Sequence, residues 1–134
     1  MLYKGKLSPN VIPGDLYKRK SALGMELSGR DQNGRRVVGI VPSEALGTTV
    51  VVNDRDLLWT IPEEWSMRDA VTILVAYCTA YYALVIRGRM KAGQTVLIHC
   101  GSGAVGEAAI RLALNAGLTV FTTVSSYEKR RKLM

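Results

Sequence analysis

At 134 residues, 48% of them hydrophobic and 22% charged, the chain can form one ordinary domain or two small incomplete ones, with a buried core. No run approaches the roughly 18–20 uncharged apolar residues of a membrane span; Met1-Leu2-Tyr3-Lys4-Gly5-Lys6 has no apolar stretch after its charges, so no secretory signal and a soluble cytoplasmic protein are expected. The net charge of +7 comes from scattered basic residues, clustered only at Lys18-Arg19-Lys20 and Lys129-Arg130-Arg131-Lys132 without interleaved aromatics, which argues against nucleic acid as a partner.

Residues 1–60 read as short β-like runs separated by turns. Pro9-Asn10, Pro13-Gly14 and Asn33-Gly34 are turn dipeptides. The last lies between Met25–Gly29 and Arg36–Val41, a spacing that suits a β-hairpin, and Thr48–Val52 is another β-branched run. The character changes at Ile61-Pro62-Glu63-Glu64-Trp65-Ser66. Ser66 is a candidate N-cap with Asp69 three residues on, and Met67, Ala70, Val71, Leu74 and Val75 follow a helical spacing. A second helix is expected over Thr79–Arg89, ending near Gly88.

Thr95-Val96-Leu97-Ile98-His99 has the nearly continuous apolar character of a strand covered on both faces. Gly101-Ser102-Gly103-Ala104-Val105-Gly106 follows directly, then an alanine-rich helix over Glu107–Asn115 with Gly117 placed to cap it. Leu118–Val124 reads as a second buried strand. The order strand, glycine turn, helix, strand makes one βαβ unit.

A G-x-G-x-x-G triplet alone is weak, but here it stands between a strand and a helix with a second strand inside about 30 residues. In that setting Gly101 permits the tight turn, Gly103 the approach of backbone to a pyrophosphate, and Gly106 close packing of helix on strand. The helix N-terminus offers N–H groups and partial positive charge to the phosphates. Cofactor choice is read at the end of the second strand, where NAD sites place an Asp or Glu for the ribose 2′-hydroxyl. Here stand Thr122-Thr123-Val124-Ser125-Ser126 and then Tyr127-Glu128-Lys129-Arg130. Hydroxyls and cations suit a 2′-phosphate, so NADPH is preferred over NADH. Glu128 fits charge complementarity at the start of the next helix.

His99 is expected to be a structural hydrogen-bonding residue rather than a catalytic one. Tyr77, Tyr81 and Tyr82 are expected to pack, while Thr79 could face the cofactor cleft. Cys78 and Cys100 with the sole histidine cannot assemble a zinc site. A disulfide between the two is possible in principle, but a cytosolic chain keeps both reduced, and both read as small buried hydrophobes.

Several stretches resemble the enoyl-reductase region of animal-type fatty acid synthase, in the zinc-free branch of the medium-chain dehydrogenase/reductase superfamily. They are Gly5-Lys6-Leu7-Ser8-Pro9, Leu23-Gly24-Met25-Glu26-Leu27-Ser28-Gly29-Arg30, Thr79-Ala80-Tyr81-Tyr82-Ala83-Leu84-Val85 and Arg87-Gly88-Arg89. Leu97-Ile98-His99, Val120-Phe121-Thr122-Thr123-Val124 and Glu128-Lys129-Arg130 complete the set. The resemblance implies an α/β chain: part of a GroES-like β-rich substrate domain over 1–76, then the first βαβ unit of a Rossmann NADPH-binding domain over 77–134. It implies hydride transfer from NADPH to the β-carbon of a trans-2-enoyl thioester carried on acyl carrier protein, in a multienzyme that is a homodimer.

It also implies that the turn Gly101–Gly106 holds pyrophosphate and that Lys129 meets the 2′-phosphate, with Ser125, Ser126 and Arg130 as neighbouring candidates. Three positions depart from the family pattern: Ala104 replaces a common glycine at a variable place in the triplet, Cys100 stands where serine is usual, and Glu107, an acid near the pyrophosphate, where glutamine is usual. The family's candidate proton donors, a lysine and an aspartate, are expected beyond Met134, leaving the catalytic residues unassigned. The 134 residues alone are then expected neither to reduce enoyl thioesters nor to bind NADPH tightly. A quinone or enone reductase of the same superfamily, or a non-catalytic or degenerate dinucleotide-binding module, are the competing readings.

Overall fold

The computed structural model describes residues 24–41, 45–53 and 57–134. The turns at Pro9-Asn10 and Pro13-Gly14, the basic cluster Lys18-Arg19-Lys20 and the stretch Gly5–Pro9 lie outside the described residues. The chain is α/β and divides into two compact units, Met1–Val71 and Thr72–Met134.

In the first unit, β1 (Glu26–Arg30) and β2 (Arg36–Ile40) form the expected antiparallel hairpin, with Arg30 opposite Arg36. Its loop is closed by Asp31, whose carboxylate accepts from the N–H groups of Asn33 and Arg35, each at 2.9 Å, and from the Arg35 guanidinium at 2.7 Å. Such an aspartate satisfies its own turn's backbone, which is why Asp-x-Asn-Gly sequences favour hairpin loops. The other edge of β2 is taken by β3 (Leu57–Thr60), again antiparallel, with Val37 opposite Thr60. The run Thr48–Val52 is not a strand. A β-branched run needs a ladder partner, and both edges of β2 are already paired; Val51 is 83% exposed. The small core holds Val37, Val38, Val41, Ile61 and Ala70, with Val41 only 2% and Ile61 3% exposed.

Helix α1 (Met67–Val71) starts where the sequence indicates. The Ser66 hydroxyl donates to the Asp69 carboxylate at 2.6 Å and accepts from the Asp69 N–H at 3.0 Å. This reciprocal capping satisfies donors that a helix start leaves open. The Ser28 hydroxyl donates to the Met67 carbonyl at 2.8 Å, tying α1 to the sheet. Hydrogen bonds from Ser66 hold the Asp69 carboxyl below its usual range. A carboxyl depressed in the folded state contributes stability above its unfolded pKa, and loses it as pH falls through the folded value. Melts followed by circular dichroism should therefore show stability falling below about pH 4, with a smaller acid loss in Ser66→Ala.

In the second unit, α2 (Leu74–Tyr81) runs directly into a π-helical segment, Tyr82–Arg87. The expected helix break is thus moved. It falls at Thr72-Ile73, and the turn at Gly88 closes with the Gly88 N–H donating to the Ala83 carbonyl at 2.8 Å. The boundary expected at 76/77 falls inside α2. Strand β4 (Thr95–Ile98), helix α3 (Ala104–Asn115) and strand β5 (Thr119–Thr122) form the βαβ unit, with Val96 beside Val120 and Ile98 beside Thr122 in a parallel ladder. Helix α4 (Tyr127–Leu133) follows.

Alanines set the packing. Ala76 and Ala80 of α2 meet Ala108 and Ala109 of α3, and Ile98 joins them, with Val96, Val120 and Ile110 half-buried alongside. Small side chains let the two helices approach closely. Side chains alternate along a strand, so Leu97 and Phe121 face away from this core, and they are 58% and 60% exposed. Among the described residues the pair of strands is therefore covered on one face, not on both as the apolar runs suggest. The cysteines also differ from expectation, both being exposed. Cys78 is two residues from each of the buried Ala76 and Ala80, and 3.6 residues per turn rotates it to the opposite side. No described helix is long and apolar enough to cross a membrane.

Candidate cofactor-binding site

The turn after β4 is held by β5. The Gly101 N–H donates to the Thr123 carbonyl at 3.0 Å, and the Cys100 N–H reaches the Thr123 hydroxyl at 3.3 Å. His99 Nδ1 lies 3.1 Å from the same hydroxyl, the structural hydrogen bond expected of it. The residue with left-handed backbone is Cys100, at φ 57°, rather than a glycine. The glycines serve close packing instead. A Cβ on Gly101 would run into the Thr122 hydroxyl and the Ile110 side chain, and one on Gly106 into the Cys100 carbonyl and the Gly101 Cα. Both are buried behind the turn.

Gly103, by contrast, is exposed and would set a Cβ 3.3 Å from only one described atom, the Cys100 carbonyl. It is the N-cap of α3, with extended backbone and no side-chain cap. The N–H groups of Ala104, Val105 and Gly106 precede the first intrahelical bond, which Glu107 donates to the Gly103 carbonyl at 2.8 Å. The helix therefore presents uncapped donors and its positive end to the space in front of the turn.

That space is an open cleft of about 340 Å³ lined by Cys100, Ser102, Gly103, Thr123, Val124, Ser125 and Lys129. Lys129 is the one charged residue among these. Its ammonium donates to the Ser125 hydroxyl at 2.8 Å, four residues back. Ser126 is the N-cap of α4, its hydroxyl accepting from the Lys129 N–H at 3.4 Å. The Ser126 hydroxyl and a backbone N–H hold the Glu128 carboxyl below its usual range, so this acid belongs to the helix start, as its position suggested. The acid nearest the turn, Glu107, is paired with Lys132 at 3.2 Å and Arg111 at 3.3 Å, and hydrogen bonds from both hold its carboxyl below the usual range.

Of the residues singled out in the sequence, the cleft brings together Ser102, Gly103, Ser125 and Lys129. Gly101, Gly106 and Ser126 are not among its lining residues, the two glycines being buried, and Ala104 and Val105 begin the first turn of α3. Arg130 lines a separate cleft with Tyr127, Arg131 and Met134. Thr79 is not among the lining residues, and its hydroxyl donates to the Val75 carbonyl at 2.6 Å. Thr123 and Val124, in the segment read for cofactor choice, and Cys100 line the Lys129 cleft as well. Their signal is positional: they follow the C-terminal ends of two parallel strands, where α/β sheets bind ligands.

No family model matches the chain. It is 39% identical over 119 residues to a highly reducing polyketide synthase of Gibberella zeae, covering 83% of this chain and 5% of that protein. A highly reducing polyketide synthase of Aspergillus terreus is 38% identical over all 134 residues, 6% of its own length. The chain thus spans about one-twentieth of these curated relatives. They are polyketide synthases, whereas the sequence stretches pointed to fatty acid synthase.

Among solved structures, the CurF ER cyclopropanase from the curacin A biosynthetic pathway is 33% identical with a TM-score of 0.76, over 83% of this chain and 36% of that one. The CurK enoyl reductase gives 25% and 0.71, over 85% and 37%. The quinone oxidoreductase of Thermus thermophilus, whose complex with NADPH was solved, gives 34% and 0.69, over 79% and 35%. By sequence and by fold, this chain is similar to parts of reducing polyketide synthases, of the CurK enoyl reductase and of a quinone oxidoreductase.

Proposed function

We propose that this chain supplies the NADPH-binding turn of an enoyl reductase acting on trans-2-enoyl thioesters carried by acyl carrier protein. The observation that carries the reading is the meeting, at one cleft, of the uncapped N-terminus of α3 and the Lys129 ammonium. The first unit is read as part of the GroES-like substrate domain, and the second as part of the Rossmann domain.

In this reading the N–H groups at the start of α3 take the pyrophosphate, with Ser102 and Gly103 bordering it. Lys129 and Ser125 take the 2′-phosphate, and Arg130, one residue on, adds positive potential. When bound, NADPH supplies the hydride for the β-carbon of the enoyl group. The chain's own part is to hold and orient the cofactor's phosphates, and none of its residues is assigned as proton donor. The similarity to reducing polyketide synthases favours a polyketide assembly line over a fatty acid synthase as the parent multienzyme.

Likeness to the Thermus quinone oxidoreductase supports a second reading, reduction of free quinones or enones. Consumption of NADPH by the protein, in its multienzyme context, separates the two. Turnover with crotonyl-pantetheine but not with benzoquinone is expected. Turnover with the quinone alone would favour the second reading.

A further inference from the structure

Helix α4 has only seven residues, yet it bears the lysine assigned to the 2′-phosphate. Its start is fixed by the Ser126 cap. Its last turn is fixed by Lys132, whose ammonium meets the Glu107 carboxylate at 3.2 Å across 25 residues of sequence. Lys129 and Lys132 are three residues apart and so share one face of the helix. Glu107 in turn sits at the first intrahelical bond of α3, directly behind Gly103. Its second partner, Arg111, lies on α3 itself and ties nothing to α4.

We propose that Glu107 is a positioning residue for cofactor choice: through Lys132 it holds the Lys129 face of α4 beside the glycine turn, and so sets the preference for a 2′-phosphate. This rests on the NADPH reading above.

Charge alone predicts the opposite sign. A carboxylate near an anion site repels phosphate, so removing it should favour cofactors generally, and most of all the one with the extra phosphate. Only a tethering role makes its removal lower the preference for NADPH.

The test is titration of nicotinamide fluorescence with NADPH and with NADH on the protein in its multienzyme context and on its variants, with circular dichroism as a check that helix content is kept. Glu107→Gln and Lys132→Met are each expected to reduce the NADPH-to-NADH affinity ratio about fivefold, as an exposed ion pair allows. The double variant should fall no further than either single one, because both act through one contact. Arg111→Met should leave the ratio in place. If Glu107→Gln keeps or raises the ratio, the tether is overturned. If Lys129→Met lowers the ratio while Glu107→Gln and Lys132→Met do not, the tether fails and the NADPH reading stands. If Lys129→Met also leaves it unchanged, or the unmodified protein shows no preference, the NADPH reading fails and takes the tether with it.

Discussion

Gly106→Ala is expected to destabilise the second unit by about 2 kcal/mol, although the same change in most helices would stabilise. Replacing a helical glycine by alanine ordinarily gains up to about 1 kcal/mol of helix propensity. Here the added methyl would press on the Cys100 carbonyl and stand 2.8 Å from the Gly101 Cα. Both are backbone atoms, and neither can swing aside as a side-chain tip would. Overpacking of this kind typically costs about 1–3 kcal/mol or more, so it outweighs the propensity gain. Gly103→Ala is the contrast: its Cβ faces one carbonyl at 3.3 Å, so the fold should hold while the approach of a phosphate is narrowed. Urea unfolding checks both. Equal stability of Gly106→Ala and the unmodified chain would mean that helix and turn do not pack as described.

Lys129→Met is expected to weaken NADPH binding about tenfold to a hundredfold, with NADH changed by less than about threefold. A charge-assisted hydrogen bond contributes roughly 1.5–3 kcal/mol, which sets the range. Lys129 already has a partner in the Ser125 hydroxyl, which must be shared or exchanged when a phosphate arrives, so the lower half of the range is the better expectation. Only NADPH carries the 2′-phosphate, and that makes the comparison selective. Ser125→Ala should shift the same ratio in the same direction, by less. Equal weakening of both cofactors would place Lys129 at the pyrophosphate instead.

How much of this was legible in the sequence follows from how local each feature is. The strand, glycine turn, alanine-rich helix and second strand come in the order read, with the helix starting at Ala104 rather than Glu107 and the second strand shortened to Thr119–Thr122, because a short apolar run, three glycines and a helical alanine pattern are each contained in one segment. The Asn33-Gly34 hairpin and the Ser66 cap were legible for the same reason. What escaped is non-local. Leu57–Thr60 became a strand, and Thr48–Val52 did not, according to which segment reached the free edge of β2. The apolar character of Leu97 and Phe121 says that these strands can be buried, not that both faces are covered.

The site divides in the same way. The glycines and the segment from Thr122 to Lys129 announce themselves by spacing, but that Cys100 and Thr123 meet at one cleft follows from β5 lying beside β4. Thr79 had its hydroxyl claimed by its own helix, a competition that spacing does not reveal. The pairing of Glu107 with Lys132 joins two helices and appears in no local pattern.

Whether a phosphate-bearing dinucleotide sits between the start of α3 and Lys129 is decided by titrating the ¹⁵N-labelled chain with 2′,5′-ADP and recording amide shifts. Saturable shifts are expected at Ser102, Gly103, Ala104, Ser125, Ser126 and Lys129, much reduced with 5′-AMP. Shifts confined to other residues, or equal responses to the two nucleotides, would contradict that placement.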